Sequence, residues 1–259
     1  MMKKEFVEER RLGIIQYINQ KRRADVYELA QEFNVTEVTI RRDLILLEDS
    51  GKLVRTHGGA ISCLDRSIWQ TTNIRARLEN ETAEKERIAN YVASLISDGE
   101  SIFLDSGSTS LLIARALLSH KRLMVVSNSP SVAQTLAGVN ENKVLITGGE
   151  LEKNTDSIIG TSCEEFLKQY RTDKAILGIS GILIPDGYFA ANPQEAAVKR
   201  IMGNNAKRTI YAADSSKIGT TAFTFVESLK NTGLLITDTN ISEDNLKLLK
   251  QYGADVVTV

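Results

Sequence analysis

Cysteine, proline, histidine and tryptophan are all scarce in this 259-residue chain, at 2, 3, 2 and 1 residues. Cys63 and Cys163 lie far apart with no CxxC spacing, and the only histidines are His57 and His120, so neither a disulfide framework nor a zinc site is expected. Three prolines argue against long stiff linkers. The longest charge-free run, Leu123 to Asn140, is broken by Ser127, Asn128, Ser129, Pro130 and Ser131, which excludes a bilayer-spanning helix. The opening MMKKEFVEERR mixes acids with bases and lacks an apolar core segment, so no secretory signal is expected and the cytoplasm is the default location. A formal net charge of −1 removes any argument from overall basicity to nucleic acid. A DNA-binding signal has to be local.

What remains is an ordinary globular balance, 42% apolar and 25% charged, in a chain long enough for two domains at roughly 100 to 200 residues each. Residues 1–62 read as three helices and a short hairpin. The first helix, about Phe6 to Gln20, draws a buried stripe from Leu12, Ile14, Ile15 and Ile18. The second, Asp25 to Phe33, carries Val26, Leu29, Ala30 and Phe33 on one face. Asn34 suits a left-handed cap, Thr36 an N-cap, and the third helix turns Ile40, Leu44 and Leu47 inward until Gly51. KLVRTHGGAIS around Gly58 and Gly59 predicts a two-stranded wing. Residues 63–80 are polar and aperiodic and are expected to be a linker. In 81–259 a helix over Ala83 to Ile96 precedes alternating strands and helices, the pattern of a parallel α/β sheet. The expected strands are Ser101 to Leu104, Leu123 to Ser127, Lys143 to Thr147, Lys174 to Ile179, Thr209 to Ala213 and Leu234 to Thr237.

Two short helices joined at Asn34-Val35-Thr36 fit a helix-turn-helix, whose second helix enters the major groove. With Ile40 inward, Val38, Arg41, Arg42 and Ile45 fall on the outer side and Thr39 flanks them. Arginine forks match guanine or phosphate, threonine bonds either base edges or phosphate, and Val38 suits a thymine methyl. Lys52, Arg55 and His57 on the wing add basic contacts. The strings RLGIIQYIN and VTEVTIRRDLILLEDSGKLVRTHGGA closely resemble the amino-terminal signature of the DeoR family of bacterial transcriptional regulators. That resemblance implies Thr36, Thr39, Arg41 and Arg42 on the recognition helix, with Arg55, His57, Gly58 and Gly59 on the wing. Thr36 stands where the family more often has serine, which keeps the capping oxygen.

Asp105-Ser106-Gly107-Ser108-Thr109-Ser110 follows a predicted strand and opens a helix, a place where converging N–H groups and hydroxyls suit an anion. No GKS or GKT follows, so it is not a Walker loop. Other strands end in Ser127-Asn128-Ser129, Gly148-Gly149-Glu150 and Asp214-Ser215-Ser216-Lys217. Strand carboxyl ends are where open α/β sheets bind ligands, so these four ends are expected to share one pocket. Glu195 and Lys199, spaced i, i+4, read as an intrahelical ion pair, although Glu195 follows the Asn192-Pro193-Gln194 turn and a helix start there can face a pocket.

AEKERIA, LDSGSTS, VVSNS, TGGEL, IIGTS, DGYF and DSSKIG resemble the effector domain of the same family. The resemblance implies an α/β fold similar to ribose-5-phosphate isomerase and the coenzyme A transferases, used to sense phosphorylated sugars. It puts the phosphate on the Ser108 to Ser110 loop, within Asp105 to Ser110, and the sugar against Asp105, Asn128, Gly149, Glu195 and Lys217. Where the isomerases carry an acidic DGADE-type stretch, this chain reads Leu177-Gly178-Ile179-Ser180-Gly181, so the catalytic carboxylates are missing. The expectation is a homodimeric or homotetrameric repressor of a sugar or sugar-alcohol operon. It binds double-stranded operator DNA, is released by a phosphorylated sugar, and uses no metal or cofactor. The alternative is a sugar-phosphate isomerase with a regulatory amino-terminal module.

Overall fold

The computed structural model describes residues 2–21, 23–49, 52–56, 58–62, 73–79, 82–230 and 233–259. The chain divides into two compact units, Met1–Glu79 and Asn80–Val259. His57, Gly51 and Cys63 lie outside the described residues.

The first unit runs α1 (Met2–Lys21), β1 (Arg23–Asp25), α2 (Val26–Glu32), α3 (Glu37–Asp49), β2 (Leu53–Arg55), β3 (Gly59–Ser62) and α4 (Ile74–Glu79). Ile14 and Ile18, one turn apart on α1, are fully buried with Leu29, Ile40, Leu44 and Leu53. Leu12 does not join them. It is 60% exposed, because two steps from Ile14 carry it to the opposite side of the helix, and the stripe narrows to Ile14, Ile18 and half-buried Ile15. Asp25 caps α2, its Oδ1 accepting from the Glu28 N–H at 2.7 Å, and Asn34 takes the left-handed turn at φ 49°. Thr36 Oγ1 accepts from the Thr39 N–H at 3.3 Å and starts α3.

The wing holds three strands rather than two, in the order β1-β3-β2, with Ala24 opposite Ala60. A three-residue strand is too short to show a period of two in sequence. It explains Gly59, however: a Cβ there would stand 2.1 Å from the Ala24 carbonyl oxygen, so β1 packs only against a residue without a side chain. Within the expected 63–80 linker, Ile74–Glu79 is helical.

The second unit opens with α5 (Thr82–Ser94), β4 (Ser101–Leu104), α6 (Ser108–Ala116), β5 (Met124–Ser127), α7 (Pro130–Leu136) and β6 (Lys143–Ile146). A hairpin of β7 (Glu150–Glu152) and β8 (Ser157–Ile159) leads to α8 (Thr161–Lys168) and β9 (Thr172–Gly178). Then come β10 (Gly181–Leu183), β11 (Gly187–Ala190), α9 (Pro193–Asn204), β12 (Ala206–Ala212), β13 (Thr224–Glu227), β14 (Leu234–Thr237), α10 (Glu243–Gln251) and β15 (Asp255–Thr258).

Seven parallel strands form the sheet in the order β15-β14-β12-β9-β4-β5-β6. The six strands expected from sequence are all in it, and β15 is added at one edge. Strands β10, β11 and β13 make a separate antiparallel sheet. Because crossovers are right-handed, the two directions of winding from β4 and β9 put α6 and α7 on one face and α8 and α9 on the other. One core cluster of this unit holds Leu167, Leu177 and Met202 together with Tyr188, which is stacked on Tyr211 at 3.9 Å. The winding reverses between β4 and β9. That is the switch point at which such sheets open a crevice beyond the strand ends.

Candidate functional site: a nucleic-acid face and buried polar residues at the strand ends

On α3 the side turned from the core carries Val38, 67% exposed, with Arg41, Arg42 and Ile45 also exposed and Thr39 half-buried. Thr36 and Thr39 hydroxyls meet at 3.0 Å. Arg41 Nη2 donates to Glu37 Oε2 at 3.2 Å, and on the wing Arg55 Nη1 stands 3.6 Å from Glu48 Oε2. Arg42 has no hydrogen-bond or ion-pair partner among the described residues. The two surface pairs are exposed and each is worth under about 1 kcal/mol, so a phosphate or base edge displaces the carboxylate at little cost. Sequence reasoning missed Asp43. This α3 residue is 2% exposed and accepts the Arg10 Nε–H on Oδ2 and the Arg11 Nε–H on Oδ1, both at 2.8 Å.

In the second unit the residues expected to bind an effector sit at the carboxyl ends of the strands. Asp105 follows β4 at the switch point, 1% exposed, and its N–H is held by the Ile176 carbonyl of β9 at 3.1 Å. Its Oδ2 accepts from the Gly178 N–H at 3.3 Å and from Lys199 Nζ. The reading of Lys199 as Glu195's intrahelical partner is thereby corrected: Lys199 reaches across to Asp105, and both are buried. Lys199 lies three residues after buried Ala196 and three before buried Met202, on the inward stripe of α9, where it can only point at the sheet.

The Ser/Thr loop behaves as a helix start rather than a cap. Gly107, at φ 113°, is the N-cap residue and offers no side-chain bond, while Ser108, Thr109 and Ser110 occupy the first turn and are buried. A positive φ of this size is open to glycine and strained for other residues. Ser110 Oγ donates to the Ser106 carbonyl at 3.3 Å, and Ser106 Oγ stands 3.5 Å from Asp105 Oδ1.

Asn128, after β5, donates from Nδ2 to Ser157 Oγ and the Ile158 carbonyl, both at 3.1 Å, which leaves its buried Oδ1 without a partner. Glu195, 6% exposed, likewise has a buried, unpartnered Oε1. Such atoms cost about 1–3 kcal/mol each unless something donates to them. Gly149 runs close to Cys163, and burial pushes the Cys163 thiol up from its ordinary value, with the Asp105 carboxylate adding to the shift.

Lys217 stands with a second group. It is half-buried on the turn Ser215–Lys217, and Asp214 at the head of that turn faces Lys85 Nζ at 4.0 Å with both side chains buried. Sequence reasoning singled out neither Lys85 nor the pairing of Asp214. Among the described residues no three His, Cys, Asp or Glu side chains are grouped to hold a metal ion, and no helix is long and apolar enough to cross a membrane.

An exposed helix-turn-helix face joined in one chain to a unit with buried polar and charged residues at its strand ends defines a DNA-binding regulator with its own sensing unit. Residues 10–66 match the DeoR-like helix-turn-helix domain and residues 80–239 the DeoR C terminal sensor domain. The chain belongs to the DeoR family of transcriptional regulators. It is 35% identical to the glycerol-3-phosphate regulon repressor of Escherichia coli K12, over 89% of this chain and 90% of that protein. It is 33% identical to the transcriptional repressor GlcR of Bacillus subtilis, over 97% and 96%. Among solved structures, ribose 5-phosphate isomerase A from Methanocaldococcus jannaschii aligns at 20% identity with a TM-score of 0.39, covering 52% of this chain and 53% of that one.

Proposed function

We propose that this chain is a cytoplasmic repressor of a sugar or sugar-alcohol catabolic operon, bound to operator DNA as a homodimer or homotetramer and released by a phosphorylated sugar. The observation that carries the reading is a pair of unsatisfied buried acceptors, Asn128 Oδ1 following a strand end and Glu195 Oε1 at a helix start, in the unit whose α6 helix start is buried and bears three hydroxyls. A ligand that answers both features carries an anionic group for the helix start and hydroxyl donors for the acceptors, which describes a sugar phosphate. The names of the relatives, a glycerol-3-phosphate regulon repressor among them, agree with that chemistry.

On the DNA side, Thr36, Val38, Thr39, Arg41 and Arg42 read the major groove while Arg55 and His57 hold the backbone. One recognition helix buries too little surface for tight specific binding, and paired helices match two half-sites. The isomerase alternative needs a positioned base, and the carboxylate at the end of β4 is already engaged by Lys199 and the Gly178 N–H. The test is fluorescence anisotropy on an operator fragment while candidate sugar phosphates are titrated, beside a steady-state isomerase assay. Release by one sugar phosphate supports the reading. Turnover above about 1 per second on any of them overturns the non-enzymatic part.

A further inference from the structure

We propose that Arg10 and Arg11 form a backbone-phosphate clamp, held in place by Asp43, on the flank of α3 opposite the wing. This rests on the DNA-binding role proposed above. A single guanidinium satisfies both oxygens of a carboxylate through a bidentate fork, yet here two arginines share one. Each spends only its Nε–H, one per oxygen, at 2.8 Å. Their terminal Nη groups have no protein partner among the described residues, and the side chains are 19% and 31% exposed. Two positive charges against one negative leave the cluster with a surplus of one. A carboxylate that served only to tie α1 to α3 would need neither the second arginine nor the idle amino groups.

The position on α3 says what the surplus faces. At about 100° per residue, Asp43 and Glu48, which holds Arg55 of the wing, are about 140° apart around the helix. The core residues Ile40, Leu44 and Leu47 occupy the arc between them on one side, and Arg41, Val38, Ile45 and Arg42 the arc on the other. A helix with side chains is roughly 10–12 Å across and the major groove roughly 12 Å wide, so a helix lying in the groove has a phosphate strand along each flank. Arg55 meets one strand. Arg10 and Arg11, pinned beside Arg42 by the next residue of the same helix, meet the other.

Glutamine separates the two roles of these arginines, because its Nε2 stands the same number of bonds from the backbone as the arginine Nε. Arg10→Gln with Arg11→Gln therefore keeps a donor for each Asp43 oxygen and removes the Nη groups. The full chain is titrated, at a series of salt concentrations, onto an operator duplex selected from a random-sequence pool and onto an unselected duplex of the same length. Each lost phosphate contact is expected to lower the slope of log affinity against log salt by about 0.9. The double variant thus falls by about 1.8, with roughly eightfold weaker binding per arginine at 0.1 M salt on both duplexes and the operator preference unchanged. Circular dichroism and thermal melting check that it is folded, and Arg11→Gln alone, at the more exposed site, decides the matter if the double variant is not. A wild-type slope in these variants, or a loss confined to the operator, overturns the clamp while leaving the DNA-binding reading intact. Wild-type protein that binds neither duplex overturns that reading, and the clamp with it.

Discussion

On the helix-turn-helix unit Arg41 and Arg55 keep 55% and 39% of their side chains in water beside a carboxylate, whereas in the sensing unit Lys199 and Lys85 keep 5% and 4%. The same kind of ion pair therefore does different work in the two places. In water the attraction is weak, screened by salt and cheaply exchanged, which suits a surface that must trade a glutamate for a phosphate and back. Inside the sheet end, removing one partner leaves an uncompensated charge, so the pair is committed to its geometry and changes only when something charged or hydrogen-bonding enters. Affinity for DNA is thus expected to follow ionic strength, and ligand sensing to be largely indifferent to it.

The largest effect is expected where the burial is deepest. Lys199→Met leaves the buried Asp105 carboxylate without its cation and should cost about 3–5 kcal/mol in urea unfolding. Adding Asp105→Asn should return much of it. A loss below about 1 kcal/mol would break the contrast, since Lys199 would then be behaving as a surface residue.

Next in size, Thr109→Ala should weaken sugar-phosphate binding roughly 10-fold to 150-fold, the worth of one charge-assisted hydrogen bond, without changing unliganded operator affinity. Paired anisotropy titrations check both halves, and equal losses in both would make Thr109 a folding residue. Arg42→Ala, the exposed arginine without a partner, should cost about 1–3 kcal/mol on operator if it reads a base edge. Equal losses on operator and random duplex would reassign it to phosphate.

The smallest effect tests whether exposure, and not the unit, decides. Asp173 belongs to the sensing unit, but Lys207 beside it is 79% exposed. Hydrogen bonds from Lys207 first, then from Ser101, hold the Asp173 carboxyl well below its ordinary value. A depressed carboxyl stabilises the folded state above its unfolded value of about 4, and that contribution fades as the pH falls below it. Asp173→Asn should therefore flatten the acid end of the stability curve slightly, and 1 M salt should shrink even that difference. A strong, salt-insensitive change would show that this pair acts as a buried one.

The parallel sheet was legible because six of its strands are apolar runs ending in Ser, Asn, Gly or Asp, and the helix-turn-helix because turn, cap and stripe agree. The additions have physical causes. Strands β1, β7, β8 and β10 have three residues each, too few to show alternation, and β15 offers only Val256 and Val257 between polar neighbours. The charged residues that sequence reading misplaced or passed over share a signature. Asp43 lies three residues after Ile40 and four before Leu47, and Lys85 three before Ile88 and seven before Val92. Lys199 lies between Ala196 and Met202. Each is an ionic residue at an apolar-stripe position, which is the mark of a charge with a partner in the interior. Pairing Glu195 with Lys199 by spacing alone overlooked that mark.

The reversal of winding between β4 and β9 also sets an order of events on the ribosome. Asp105 and Lys199 are 94 residues apart, so their buried pair forms only after α9 has been made, whereas the DNA-reading unit ends at Glu79. At about 5–20 residues per second, more than a hundred residues of further synthesis take on the order of ten seconds. During that interval the growing chain carries the whole of its operator-reading surface and only half of the machinery that answers to a ligand.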